Sequence, residues 1–202
     1  MPNWVKHNIA INGSKEDIAR CYEQITNGGS GFSFHNIIPM PESLHVTCGS
    51  ISRIACDWSK ASDEEKKTIE VEKKLTDEDK EQVRIIADNI AKYGYPTWYE
   101  WSIDKWGTKW DACDPTCDHC PEAIYLNFET AWSTPVPALI ELSRQFPNLD
   151  IYVEYADEDL GSNCGTYRLA NGEIQEEDSR DYEFACEMWG YDPDELREEE
   201  ED

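Results

Sequence analysis

The chain has 202 residues, of which 43 are acidic and 18 are basic, so its formal net charge at pH 7 is −25. This balance opposes binding to nucleic-acid phosphates or anionic membranes, because both require a cationic surface. The length allows one sizeable core with an appended lobe, and 39% hydrophobic residues with eight tryptophans predict a folded chain. Fifteen of the acids lie between Glu173 and Asp202, where the only basic residues are Arg180 and Arg197.

Neither a signal peptide nor a membrane span is predicted. The segment Met1–His7 lacks the apolar run of a secretory leader, and no window approaches the ~20 apolar residues that a spanning helix needs. We therefore expect a cytoplasmic protein whose eight cysteines stay reduced.

The first 41 residues predict a strand, a helix and a short extended stretch. Trp4–Ile11 is predicted as the first strand. Ser14 with Asp17 predicts the start of a helix that ends in the glycine-rich segment 27–31. The aromatic and apolar segment 32–41, which is ended by prolines, is predicted to be extended.

A charged segment at residues 62–92 predicts helices inserted into the main domain. Gly94 is predicted to end the second of them, and an apolar stripe at helical spacing marks its buried side. Each helix start is predicted by a hydroxyl residue followed three positions later by an acid, as in Ser62 with Glu65 and Thr76 with Asp79.

The second half of the chain predicts more strands than helices. Thr134 with Pro135 predicts the start of one helix, and Asn171-Gly172 predicts a hairpin turn. The predicted strands are aromatic-rich or alternate at period two, and they are 97–103, 123–129, 150–155, 166–169 and 173–174.

The order strand, helix, strand, strand, helix, strand predicts the α+β ferredoxin-like fold, in which an antiparallel sheet carries helices on one face. The predicted domain organisation is a ferredoxin-like domain at 1–170 with a helical insertion at about 62–92, followed by an acidic C-terminal extension at 171–202.

Several ordered motifs resemble the YubB-type, or Api-like, ferredoxin-like proteins that phages and plasmids carry. They lie between about Pro2 and Gly165 and comprise Pro2-Asn3-Trp4, Phe34 with 37–41, 106–111, and 130–133 with Pro135. The resemblance implies the ferredoxin-like fold and a mobile-element origin. It implies no catalytic residue. The cysteine-rich segment and the acidic C-terminus depart from the family pattern.

The tryptophan motifs are the candidate binding site. We expect the segment with Trp106, Lys109, Trp110 and Asp111 to approach Trp132, so that the rings stack. One interpretation is that these side chains only brace the loop. The other is an aromatic-walled site in which Lys109 and the amides near 134–136 attract an anionic or planar ligand.

The cysteine-rich segment contains Cys113, Cys117 and Cys120, a spacing at which thiolates in a loop can converge on zinc. Adjacent His119 and Cys120 would rarely both reach one ion, and a second pair of cysteines at matching spacing is lacking. Reduced loop thiols without a cofactor are therefore the favoured interpretation.

The sequence favours a non-enzymatic protein that binds and inhibits a host defence protein in the host cytoplasm. The acids Glu198, Glu199, Glu200 and Glu201 are predicted to contact a partner with a basic surface. One alternative is sequestration of a nucleotide-like ligand in an aromatic pocket. The third is a metal-dependent enzyme.

Overall fold

The computed structural model describes residues 2–29 and 31–196. The chain forms two compact units, a main unit of Met1–Pro39 with Lys105–Asp202 and an inserted unit of Met40–Asp104. The insertion predicted at about 62–92 lies within this second unit, whose bounds are wider.

The main unit is built on one antiparallel sheet of six strands in the order β2-β3-β1-β4-β5-β6. The strands are β1 (Trp4–Asn12), β2 (Cys113–Cys120), β3 (Ala123–Ala131), β4 (Asp150–Asp157), β5 (Cys164–Ala170) and β6 (Glu173–Ser179). The α-helices of the described residues are α1 (Lys15–Thr26), α2 (Ser50–Lys60), α3 (Asp63–Glu72), α4 (Asp77–Tyr93), α5 (Trp98–Lys105), α6 (Val136–Gln145) and α7 (Tyr182–Trp189).

The first four strands with α1 and α6 follow the order βαββαβ, which confirms the predicted ferredoxin-like fold. The hairpin β5–β6 extends this sheet beyond β4. Its turn has positive φ at Asn171 (53°) and Gly172 (76°), as the Asn-Gly pair predicts.

Alternation along β1 divides the sheet into two faces. Val5, His7, Ile9 and Ile11 are buried, while the residues between them are more exposed. The buried face packs against the apolar sides of α1 and α6, which contribute Ile18, Cys21, Ile25, Leu139 and Leu142 to the core. Ser14 accepts a hydrogen bond from the Asp17 amide at 3.2 Å and so begins α1, as predicted.

The opposite face carries α7, so helices are not confined to one face. Asn8, which points away from the main core, donates to Met188 Sδ at 3.0 Å. Lys6 lies over the Trp189 ring at 5.5 Å. Ala156 and Cys164 form a small cluster with Met188 beneath the helix. The helix covers only this end of the face.

The aromatic segment 97–103 is helix α5 rather than the predicted strand. Thr97 Oγ1 accepts from the Tyr99 amide at 3.2 Å and bonds the Glu100 carboxylate, so a local cap begins the helix. Burial of Trp101 and Ser102 then outweighs the strand propensity of the aromatic residues. The second strand of the fold is instead β2, at the cysteine-rich segment.

The cysteine-rich segment was predicted as a loop, and it forms the edge strand β2. A register shift between Cys113 and Thr116 accommodates Pro115, and Asp114 has φ 46°. Proline and an irregular register are tolerated at a sheet edge because one side of the strand makes no ladder hydrogen bonds.

In the inserted unit both predicted capping boxes form, at Ser62 with Glu65 and at Thr76 with Asp79. Gly94 ends α4 in the left-handed conformation, as predicted. Helix α2 was missed by the sequence analysis. It packs on α4 through a small core of Ala55, Val83 and Ile86.

Three further details differ from the sequence analysis. The predicted extension from residue 171 includes β6 and α7, which belong to the main unit. Helix α6 begins at Val136 after Pro135, so Thr134 is not its cap. Segment 32–41 is not wholly extended, because Phe34–Asn36 forms a 3₁₀ turn. Within the described residues, no helix is long and apolar enough to cross a membrane.

His7 is a buried polar residue on the central strand. Its ring is fully buried and stacks on Phe128 with the ring centroids 4.9 Å apart. Neither ring nitrogen makes a well-formed hydrogen bond to a described residue. Burial lowers the pKa of His7 to about 3, and the carbonyl groups of Phe128 and Val5 oppose this only in part.

His7 is expected to make the protein less stable as the pH falls. The unfolded chain takes up this proton near pH 6.5 and the folded chain only near pH 3. Stability is therefore lost as the pH falls below 6.5, by about 1.5 kcal/mol between pH 6.5 and 5. Urea unfolding of His7→Phe over that range should lack this component. The exposed His45→Gln variant should keep it, and equal pH dependence in wild type and His7→Phe would contradict the assignment.

Candidate functional site

The two tryptophan motifs meet at one end of the sheet, as expected. Ser133 Oγ donates to the Gly107 carbonyl at 2.6 Å, and Thr108 Oγ1 donates to the Ala131 carbonyl at 2.9 Å. Gly107 has φ 86°, and a Cβ there would lie 2.4 Å from Pro137 Cδ. Only glycine therefore allows the first motif to pack this closely against the start of α6.

Trp106 and Asp111 hold the surrounding chain in place. Trp106 is 5% exposed, and its Nε1 donates to the Ile38 carbonyl at 3.0 Å. The Asp111 carboxylate accepts from the Ser33 hydroxyl and from the amide of Phe34 at 2.7 Å. Through these contacts, both side chains hold residues 33–38 against the sheet.

Lys109 lies between two tryptophan rings. Its Nζ is 4.3 Å from the centroid of the Trp110 ring and 4.5 Å from that of Trp132. Trp110 also packs against Trp4, with centroids 6.0 Å apart and planes tilted by 40°. Because the ammonium group already rests on both ring faces, an anionic ligand would have to compete with them for it.

Trp132 is the exposed member of this group. It is 45% exposed and has φ 74°, a conformation that costs a bulky residue on the order of 1–3 kcal/mol. Its amide donates to the Asn3 carbonyl at 2.8 Å, and Thr130 Oγ1 donates to the Ser133 carbonyl at 2.8 Å. These bonds fix the turn. The Val136 amide is one of the amides predicted to attract an anion, and it donates to the Thr134 carbonyl at 2.8 Å.

The structure does not bring Cys113, Cys117 and Cys120 together. They lie along β2, where residues rise about 3.3 Å each, so the first and last are on the order of 20 Å apart. Burial raises the pKa of Cys117 to about 11, and His119 stacks on Tyr22 at 3.8 Å. Among the described residues, no three His, Cys, Asp or Glu side chains are grouped to hold a metal.

The predicted partner contacts at Glu198–Glu201 lie outside the described residues.

A surface that the sequence analysis missed is the open part of the sheet face beside α7. Tyr125 on β3 and Tyr152 on β4 are exposed there, on either side of Ala10. The alternation within each strand was a signal for their orientation, but only the strand order brings them together.

Residues 105–202 match the family model of the ferredoxin-like domain in Api92-like protein. This match supports the Api-like resemblance, and it includes both tryptophan motifs, β6 and α7. It begins at Lys105, where the main unit resumes after the inserted unit.

A solved structure has a similar fold, the crystal structure of a protein api92 from Yersinia pseudotuberculosis. The TM-score is 0.53 and the sequence identity 11%, with 89% of this chain and 98% of the other covered. At this identity the likeness supports the fold alone. No curated protein matches this chain in sequence.

If the tryptophan group braces the loop, Trp110→Ala should destabilise the protein far more than Lys109→Ala. We expect losses of about 2–3 kcal/mol for the half-buried tryptophan and about 1 kcal/mol for the lysine, measured by urea unfolding. Lys109→Met is the matched control, because it keeps the aliphatic stem without the charge. A stable Trp110→Ala variant would contradict the bracing role.

The purified protein is expected to hold less than one tightly bound metal ion per chain, because the three strand cysteines are spread along β2. Elemental analysis without added chelator measures this. Stoichiometric zinc that is lost in Cys113→Ser, Cys117→Ser and Cys120→Ser, and retained in Cys48→Ser, would contradict it.

Proposed function

We propose that this protein is a phage or plasmid accessory protein that binds a host protein with a basic surface and inhibits it. The observation that carries the proposal is the excess of 25 acids over basic residues. Such an excess leaves many carboxylates without a cationic partner in the chain. A basic partner would neutralise them, and the complementary charges would speed the encounter.

Part of the excess of acidic residues lies on the outer strand β6. It lies at the edge of the sheet, and all seven of its residues are exposed. Four of them are acids and none is basic, namely Glu173, Glu176, Glu177 and Asp178. Acidic side chains on an edge strand oppose pairing with a second copy of the same strand, but they attract a basic surface.

The tryptophan motifs brace the fold, and the binding role is therefore proposed for other surfaces of the protein. The polar groups of Trp106, Thr108, Asp111 and Ser133 are used to hold the chain together. This use of polar groups supports a non-enzymatic function. The phage or plasmid origin, the host-defence target and the action in the host cytoplasm rest on the resemblance to Api-like proteins.

Affinity capture from host lysate followed by kinetics tests the proposal. A captured protein should lose its own activity on binding. Its association rate should fall roughly tenfold as salt rises from 0.01 to 0.15 M, because the Debye length shrinks from about 30 Å to about 8 Å.

A charge-matched pair of variants serves as the control. Glu173→Gln with Glu177→Gln removes two charges from β6 and should slow association further. Glu64→Gln with Glu72→Gln removes two exposed charges from α3 and should change it less. A partner that is bound without loss of its activity, or whose association ignores salt, would contradict the proposal.

A further inference from the structure

Two tyrosines flank the centre of the open sheet face. Tyr125 pairs with Ala10, and Ala10 pairs in turn with Tyr152, so the three residues form one row across β3, β1 and β4. Tyr125 is 49% exposed and Tyr152 is 36% exposed. Helix α7 lies over the row that contains Ala156 and leaves this one open.

The small side chain of Ala10 leaves a groove between the rings. Neighbouring strands are about 4.8 Å apart, so the two tyrosine Cα atoms are separated by about 10 Å. The groove has a volume of about 380 Å³, and its other side chains include Asn8, Asn127 and Glu154. Two rings that stack on opposite sides of one planar group lie about 7 Å apart, which the separation of these two Cα atoms allows.

The charge of this surface favours a cation. Glu154 lies on the same face in the next row, where it pairs with Asn8, and its side chain makes no ion pair with a described residue. The cations on this face are already engaged. Arg168 makes two hydrogen bonds to Asp150, Arg180 lies 3.4 Å from Asp178, and Lys6 lies over Trp189.

We propose that this groove binds an arginine side chain from a basic segment of a partner protein. The guanidinium would stack between Tyr125 and Tyr152 and donate hydrogen bonds to Glu154. Arginine fits better than lysine because its planar guanidinium stacks on aromatic rings and bonds a carboxylate with two donors. This inference rests on the proposed function, since it identifies where a basic partner is recognised.

Single-stranded nucleic acid is the competing occupant, because bases also stack on exposed aromatic rings of a sheet. Phosphates, however, require neighbouring cations. Here Glu176 lies in the same row as the tyrosines, and the next row presents Glu154 and Asp178. The electrostatics therefore favour a basic protein segment.

The test uses the full chain and two blocked peptides of equal length and charge, one with arginines and one with lysines spaced by glycine. Calorimetry should show tighter binding of the arginine peptide. Tyr125→Ala, Tyr152→Ala and Glu154→Gln should each weaken it about five- to tenfold. Tyr125→Phe and Tyr152→Phe keep the ring and should bind within about twofold of wild type.

Matched controls separate the groove from general attraction. Tyr191→Ala removes an exposed tyrosine elsewhere, and Glu23→Gln removes an exposed charge from α1, on the other face of the sheet. Both should change the affinity by less than twofold. Because the substituted groove residues are partly exposed, near-ultraviolet circular dichroism should show an unchanged fold.

Three outcomes would overturn the inference. They are equal weakening by the groove and control variants, equal affinity for the two peptides, and binding of a uridine 12-mer RNA that is lost in Tyr125→Ala. None of these three measurements depends on the capture of a host protein. If the arginine peptide binds in the groove but no host protein is inhibited, the proposed function fails while the groove assignment stands.

Discussion

The central strand β1 is the constraint on which the rest of the structure depends. It pairs with β3 on one side from Trp4 to Asn12 and with β4 on the other from Val5 to Asn12. A shift of one residue in either register would turn Val5, Ile9 and Ile11 away from the helices and place Lys6 and Asn8 in the core. The burial of these residues therefore fixes the register of both neighbours.

The same register explains both the buried and the exposed features of the sheet. His7 is carried into the core because it lies between Val5 and Ile9 on the inward face. Ala10 is carried outward, where its small side chain separates two tyrosines. The tryptophan motifs act at one end of this framework, through short hydrogen bonds and through Lys109 between two rings.

The tryptophan motifs and the open sheet face have different physical characters. The motifs use the polar groups of Trp106, Thr108 and Ser133 internally, which suits a bracing role. The open face presents aromatic rings and a carboxylate that has no ion-pair partner among the described residues. The proposed recognition of a basic partner depends on this aromatic surface and on the acids of β6.

Local signals in the sequence were enough for much of the fold. Alternation predicted β1, β3 and β4, side-chain caps predicted α1, α3 and α4, and Asn171-Gly172 predicted the β5–β6 turn. These succeed because capping, turn geometry and alternation depend on neighbouring residues. The ferredoxin-like order was predicted from these signals together with a strand at 97–103, which is helical, and β2 takes that strand's place in the order. The family model matched at residues 105–202 supports the fold.

Only the tertiary structure decided the remaining features. Segment 97–103 is helical because its cap and the burial of Trp101 outweigh the strand propensity of its aromatic residues. The cysteine-rich segment is a strand because β3 offers it an edge to pair with, which also separates its thiols. The tyrosine row could not be predicted from the sequence either, because it also depends on long-range strand pairing. Alternation sets which way Tyr125 and Tyr152 point, but long-range strand pairing, which no local pattern encodes, makes them neighbours.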